Sequence, residues 1–277
     1  MFLGLDLKAW LGLTVLGSVI STIGALLAVL LKDYVFARSF ERWKQRQTLE
    51  LLYQRYRDPL MLSGHELASR TVEIVDTYPT VFLTAAVLAS RPTAQLVNST
   101  EDAYFRRYKL MSTLYRFCAF LGWLELYRQE ITFLHPGSSK RSSELERAID
   151  QVREDLADGQ LNKADDWLTW RDALVFREDL RAIGESMLET QNGGRTVMGY
   201  GRFVEVFDSK DASPAQRWAN VLLPFLLDLQ VKERDFRRTR LQRLVVHLVG
   251  LLVLLDKDSV KEDLIEARDR LAAVASS

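Results

Sequence analysis

The sequence predicts an all-α protein in which a single N-terminal transmembrane helix is followed by a cytoplasmic helical bundle. Three observations lead there. The run Ala9 to Leu31 carries no charge. Beyond it, nearly every strong apolar period has steps of three and four residues. Nowhere do strand and helix patterns alternate regularly, as a βαβ sheet would require.

Ala9–Leu31 would span about 35 Å as a helix, against a hydrocarbon core of about 30 Å. Trp10 stands at one end, with Tyr34 and Trp43 beyond the other, where amphipathic rings settle at headgroup depth. Asp6 and Lys8 precede the run; Lys32, Arg38, Arg42, Lys44, Arg46, Arg55 and Arg57 follow it, opposed only by Asp33, Glu41 and Glu50. The positive-inside tendency puts the amino terminus outside and the body in the cytoplasm, at an inner (plasma) membrane. A secretory leader fits less well: the run is too long, no basic stretch clearly precedes it and no convincing A-x-A site follows. Gly17, Ser21, Gly24, Ala25 and Ala28 share one side of the helix. Such small residues let two backbones approach, although they are also simply frequent in membrane helices.

Residues 1–31 therefore read as the anchor, 32–58 as a basic juxtamembrane helix and 59–277 as the helical domain. Phe36, Phe40, Trp43, Leu49, Leu52, Tyr53 and Tyr56 keep helical spacing up to Asp58-Pro59, which is expected to break the helix. Basic residues there suit anionic lipid, or serve only as a topology signal. Helices follow from Leu60 to Asp76, Val81 to Ala89 and Glu101 to Leu134, the last with Leu110, Leu114, Phe117, Leu121, Leu124 and Tyr127 as its core face. The polar stretch Thr93–Thr100 and the loop from Pro136 to Ser143 separate segments. Glu144–Asp158 is an acidic amphipathic helix, followed by a segment from Asp166 to Glu189. Helices near Pro214–Gln230, Phe236–Leu255 and Ser259–Val274 close the chain. Short strands are allowed for in Leu168–Phe176 or Thr196–Val206. The apolar run Leu244–Leu255 is too short to cross a bilayer and reads as a buried core helix.

Composition narrows the function classes. Thirty-seven Lys and Arg balance 37 Asp and Glu, which speaks against a general nucleic-acid binder. One cysteine cannot form an internal disulfide, so a reducing compartment is favoured for the body. Cys118, between Phe117 and Phe120, reads as a buried inert thiol. His65, His135 and His247 have no metal-ligand spacing, and His247 reads as a hydrogen-bonded core histidine. Gly193, Gly194, Gly199 and Gly201 form neither a Walker loop nor a dinucleotide fingerprint; turns and helix ends account for them. No catalytic motif, metal site or cofactor requirement is recognised.

The candidate binding residues are Trp123, Glu125 and Arg128 on the long helix, and Arg181 and Glu185, with Glu189 one further step on, at four-residue intervals on another. Such a set serves either as a register-fixing ionic network or as the lining of a polar pocket. The basic run Lys232–Arg243 is expected to form a solvated or membrane-facing helix face. The membrane-associated set is Trp10, Gly17, Ser21, Gly24, Ala25, Ala28 and Trp43.

Several segments, YRDPL at Tyr56–Leu60, LASR at Leu67–Arg70, the stretch Thr113–Leu134 that contains FLGWLELYRQEITFL, RAIGE at Arg181–Glu185, MGYGRF at Met198–Phe203 and LLVLLD ending at Asp256, resemble an uncharacterised family of bacterial and plant membrane-associated helical proteins. The resemblance implies one unit from about residue 45 to 260 and a bacterial inner membrane, and brings no established activity or catalytic residue. The expected function is a membrane-anchored interaction, scaffold or sensor module whose partners are the bilayer and a protein or a second copy. A self-associating membrane effector and an enzyme with an unrecognised helical site are the alternatives.

Overall fold

The computed structural model describes residues 7–30, 37–77, 83–89, 101–132, 140–157, 171, 173–191, 193–209, 211, 213–229 and 235–275. It is mostly helical, with one two-stranded sheet among these residues. The chain divides into two compact units, Met1–Leu51 and Leu52–Ser277.

In the first unit, helix α1 is Leu7–Leu30, and its stretch Trp10–Val29 is long and apolar enough to cross a membrane. It is the one such helix among the described residues. Its large side chains stand free, Leu13 at 67% and Ile20 at 63% exposure. Three of its hydroxyls do not need water: Thr14 Oγ1 donates to the carbonyl of Leu11 at 2.9 Å, Ser18 Oγ to Val15 at 2.8 Å, and Thr22 Oγ1 to Ser18 at 2.8 Å. A helix in hydrocarbon must satisfy its polar groups internally in this way. The junction 31–36 lies outside the described residues.

Helix α2 runs from Ala37 to Val72 with Pro59 inside it, so the expected break at Asp58-Pro59 is absent. Proline deprives only the Arg55 carbonyl of its helical donor, and Arg55 is an exposed residue, where such a loss costs least. Tyr56 and Leu60, both buried, hold the helix on either side of the proline. A π-helical turn, Glu73–Thr77, ends this element. A short helix α3, Ala85–Ala89, leads towards α4, Glu101–Thr132.

Helix α4 organises the second unit. Residues 117–122 are buried without interruption, and so are 110–114, including Ser112 and Thr113. An unbroken buried run covers every side of a helix, so α4 is central rather than one-faced as its apolar stripe suggests. Thr113 donates back to the Lys109 carbonyl at 2.7 Å, which lets a hydroxyl sit at zero exposure. Cys118 is buried, and burial pushes its thiol far up, as expected of an inert cysteine.

Helix α5 (Lys140–Leu156) packs through Leu145, Ala148, Val152 and Leu156, all buried. It begins inside the expected Pro136–Ser143 loop. Helix α6 is Arg177–Ser186 and stops three residues before Glu189, which the sequence pattern had placed on the same helix. Glu189 instead lies on strand β1, Leu188–Gln191, opposite Thr196 of β2, Gly194–Val197. Gly193, at φ +76°, makes the turn between them. Of the two stretches allowed for strands, only Thr196–Val197 is extended in a sheet; Ala173–Phe176 is not.

Helix α7 (Tyr200–Asp208) follows, then α8 (Pro214–Ala219), capped by Ser213, whose Oγ accepts from the Gln216 N–H. A 3-10 turn and α9 (Leu223–Leu226) lead to Asp228, at φ +51°. Helix α10 is Phe236–Asp256, and its apolar run is buried as expected: Leu244, Val245, Leu248, Val249 and Leu252 have no exposure. Helix α11, Glu262–Ala275, closes the unit against α10. Segments 90–100, 133–139, 158–170 and 230–234, with His135, lie outside the described residues.

The expected solvated face of the basic run is overturned at Arg237 and Arg240, which are 8% and 4% exposed. Arg237 donates to the carbonyls of Pro224 at 2.9 Å, Leu227 at 2.8 Å and Asp228 at 3.2 Å, and pairs with Asp235 at 2.7 Å. Arg237 is buried because its several N–H groups satisfy carbonyls that α9 leaves open at its end, and Arg240 because it does the same for the last carbonyls of α5.

Packing is tight where α6 meets α4. A Cβ added at Gly184 would stand 2.7 Å from both the Leu121 carbonyl oxygen and Glu125 Cβ. Gly250, in mid-α10, has nothing within 4 Å of that position. Gly184→Ala should therefore destabilise the protein by about 1–3 kcal/mol. Gly250→Ala should stabilise it by about 0.5–1 kcal/mol through helix propensity. Denaturant unfolding of the full chain in detergent checks both; equal effects would mean that the α4–α6 contact yields without cost.

Candidate functional site

Helices α4 and α6 meet at Glu125, against which Gly184 lies. Glu125 is 2% exposed, and both its oxygens are taken: Arg128 donates Nε at 2.8 Å to one and Nη2 at 2.5 Å to the other, which also accepts Gln129 Nε2 at 2.7 Å. Arg195 of β2 reaches the Gln129 side-chain oxygen and extends the network to the hairpin. Burial pushes the Glu125 carboxyl up, but the hydrogen bonds from Arg128 and Gln129, with the charges of Arg128 and Arg153, outweigh it and hold the group below its ordinary value.

Gly184 makes this arrangement possible, because only a residue without a side chain lets α6 lie against Glu125. Arg181 and Glu185 flank it, both exposed. Glu185 lies within electrostatic reach of Arg128, and Arg181 of Arg153 on α5. Arg153 is largely buried, and burial followed by the Arg181 charge depresses its guanidinium. Trp123 is not part of the cluster. It lies two residues from Glu125, some 200° around the helix, half-buried against the apolar core.

A second polar centre joins α5 to α10. Asp155, 3% exposed, accepts from His247 Nδ1 at 2.7 Å, and Arg243 Nε lies 3.5 Å from its other oxygen. Arg240 donates to the Asp155 carbonyl at 2.9 Å and to that of Leu156. Residues 240, 243 and 247 share one face of α10, so three donors from one helix grip the last turn of another. His247 is thus a hydrogen-bonded histidine, as expected, although its ring keeps 34% exposure.

Sequence reasoning missed Gln129, Arg153, Arg195 and the Asp155–His247 pair. One signal was available. An acidic residue in the last turn of a helix opposes the macrodipole, so Asp155 needed cationic partners from elsewhere. Nothing local says which ones, since 92 residues separate it from His247.

The membrane-associated candidates lie in the first unit. Trp10, Gly17, Ser21, Gly24, Ala25 and Ala28 are exposed on α1, and nothing approaches within 4 Å of a Cβ built at Gly17 or Gly24. Trp43 stacks on Phe40, ring centroids 5.8 Å apart, with both residues exposed. No group of metal-ligating side chains occurs among the described residues. Comparison of the chain with protein families, curated proteins and solved structures finds no match.

The dyad gives a pH prediction with a definite sign. The hydrogen bond from Asp155 raises His247, burial lowers it, and the Asp155 charge raises it again, leaving it above its ordinary value of 6.5. Because the folded ring holds its proton more tightly than the unfolded one, its stabilisation is complete below about pH 6.5 and is lost as pH climbs through the raised folded value. His247→Gln should cost about 1 kcal/mol at about pH 6, allowing for screening at a partly exposed ring, and much less at about pH 8.5. Parallel unfolding profiles for the two proteins across that range would show that the ring's charge contributes nothing.

Proposed function

We propose that the protein is a single-pass membrane protein whose helical body works by binding, as a scaffold or sensor held at the cytoplasmic face of an inner (plasma) membrane. One observation carries this reading: α1 presents large apolar side chains on all sides, and the hydroxyls of Thr14, Ser18 and Thr22 are satisfied within the helix. Such a surface needs hydrocarbon or another helix around it. The excess of basic residues after the span supports a cytoplasmic body. A role in binding rather than catalysis is supported by the form of the charged centres, in which Glu125 is already matched to Arg128 on its own helix and Asp155 to His247 across a helix contact. The partners in this reading are the bilayer and a protein or second copy, without nucleic acid.

Topology is tested with single cysteines in a Cys118→Ala background. Phe2→Cys should react with a membrane-impermeant maleimide in intact spheroplasts, and Ser277→Cys only after lysis. The chain should keep its full mass and resist alkaline extraction. The reverse labelling pattern sinks the orientation, and a mature chain lacking the first helix sinks the anchor in favour of a cleaved leader. Mild crosslinking of the full-length protein should then retain a distinct partner. If it yields self-crosslinks alone, and these vanish from a chain beginning at Phe40, the self-associating effector replaces the scaffold.

A further inference from the structure

The first part of α2, from Ala37 to Leu51, belongs to the same unit as α1. It leaves large apolar side chains exposed, Phe40 at 61%, Trp43 at 52% and Leu51 at 66%. With Gln47, also exposed, they recur at steps of three and four residues and so lie along one face of the helix. The rings of Phe40 and Trp43 stack with their centroids 5.8 Å apart. Single exposed apolar residues are ordinary on a protein surface; a stacked aromatic pair continued along the same face is not. One charge stands beside them. Lys44 is exposed, four residues from Phe40 and seven from Leu51, which places it at the edge of the same face.

That charge decides between the occupants such a face could take. A second copy with its span in the same bilayer would run parallel, so the face would meet itself in register and Lys44 would oppose Lys44. Interface cores are depleted of charge, and like charges set against one another resist association. An anionic headgroup layer has the opposite effect. Over 37–51 the chain carries Arg38, Arg42, Lys44 and Arg46 against Glu41 and Glu50, and each basic residue held near an anionic surface adds to the attraction. Tryptophan suits the same depth, because its ring is apolar while its indole N–H can donate to a headgroup oxygen.

We propose that Ala37–Leu51 lies on the anionic lipid surface beside the span, with Phe40, Trp43 and Leu51 among the headgroups and Lys44 at the lipid phosphates. The inference rests on the reading of α1 as a membrane anchor and adds a second, lipid-selective contact to it. This part of α2 then follows the bilayer instead of leaving it as a stalk.

The test uses the full-length protein in a Cys118→Ala background, with an environment-sensitive fluorophore at Gln47→Cys or, separately, at Ile20→Cys. Each is placed in nanodiscs of phosphatidylcholine with or without phosphatidylglycerol, and emission is read together with quenching by nitroxide-bearing lipid. With phosphatidylglycerol the Gln47 probe should shift to the blue and be quenched. Lys44→Gln should lower its docked-to-undocked ratio about fivefold. Phe40→Ser combined with Trp43→Ser should return it to the emission of a probe in water. All three substituted side chains are exposed, so loss of the fold does not stand in for loss of docking. The Ile20 probe should be quenched in every case. A Gln47 probe that stays in water while Ile20 is quenched leaves the anchor standing and overturns the surface helix, whereas Ile20 in water overturns both. A shielded Gln47 probe that ignores both phosphatidylglycerol and the nitroxide lipid means that a second copy covers the face, and this too overturns the proposal.

Discussion

The second unit depends on a central helix that must bury a carboxylate. Helix α4 is covered on every side over 117–122, and 124–127 on its next turn are buried as well. That turn carries Glu125. A lone ionised carboxylate at 2% exposure would be untenable, and the chain meets the requirement locally with Arg128 and Gln129 on the following turn. The pairing then constrains what can lie alongside. Only glycine fits opposite Glu125, so α6 presents Gly184 there, and Arg181 and Glu185 are carried to the rim by the helical period. Arg195 must reach across from the hairpin to the remaining oxygen of Gln129.

The same logic repeats at the end of α5, with the helix ends as the constraint. Its last carbonyls and Asp155 form a concentration of acceptors away from solvent, and α10 answers with Arg240, Arg243 and His247 on one face. Arg237, one turn earlier, does the same for the chain after α9. Buried arginines here are helix caps supplied in trans. Replacing such groups by apolar ones is often neutral for stability, so their effect is to define which helix end meets which helix face.

These requirements explain what was legible in the sequence and what was not. Helix α1 is legible because 23 uncharged residues need no partner to be interpreted. The buried nature of Leu244–Leu255 followed from its length alone. Pro59 misled, because the rule against proline inside helices weighs most where the orphaned carbonyl belongs to a buried residue, and Arg55 is exposed. The turn at Gly193 was legible as a glycine turn, but the first strand was not, because Glu189 continues the four-residue step of Arg181 and Glu185 and so read as helix, whereas a strand over Thr196–Val197 was allowed for. The basic run misled in the opposite direction. Charge density suggests a solvated face unless the acceptors that bury it are known, and those on Pro224, Leu227, Asp155 and Leu156 are backbone carbonyls, which composition does not reveal. Of the candidate site, Glu125 with Arg128 was readable as an i, i+3 pair, whereas the reach of Arg195 to Gln129 was not, since 66 residues separate the two.

Helix α5 connects the two charged centres. Arg153 and Asp155 are two residues apart, which places them about 200° around the helix, one towards α4 and α6 and the other towards α10. The apolar residues Leu145, Ala148, Val152 and Leu156 hold this helix without preference for either neighbour, because dispersion and burial are not directional. Its rotation against α10 is set by the contacts that Asp155 and the last carbonyls of α5 make with Arg240, Arg243 and His247, so the side of the helix that carries direction is also the side that responds to a proton on His247.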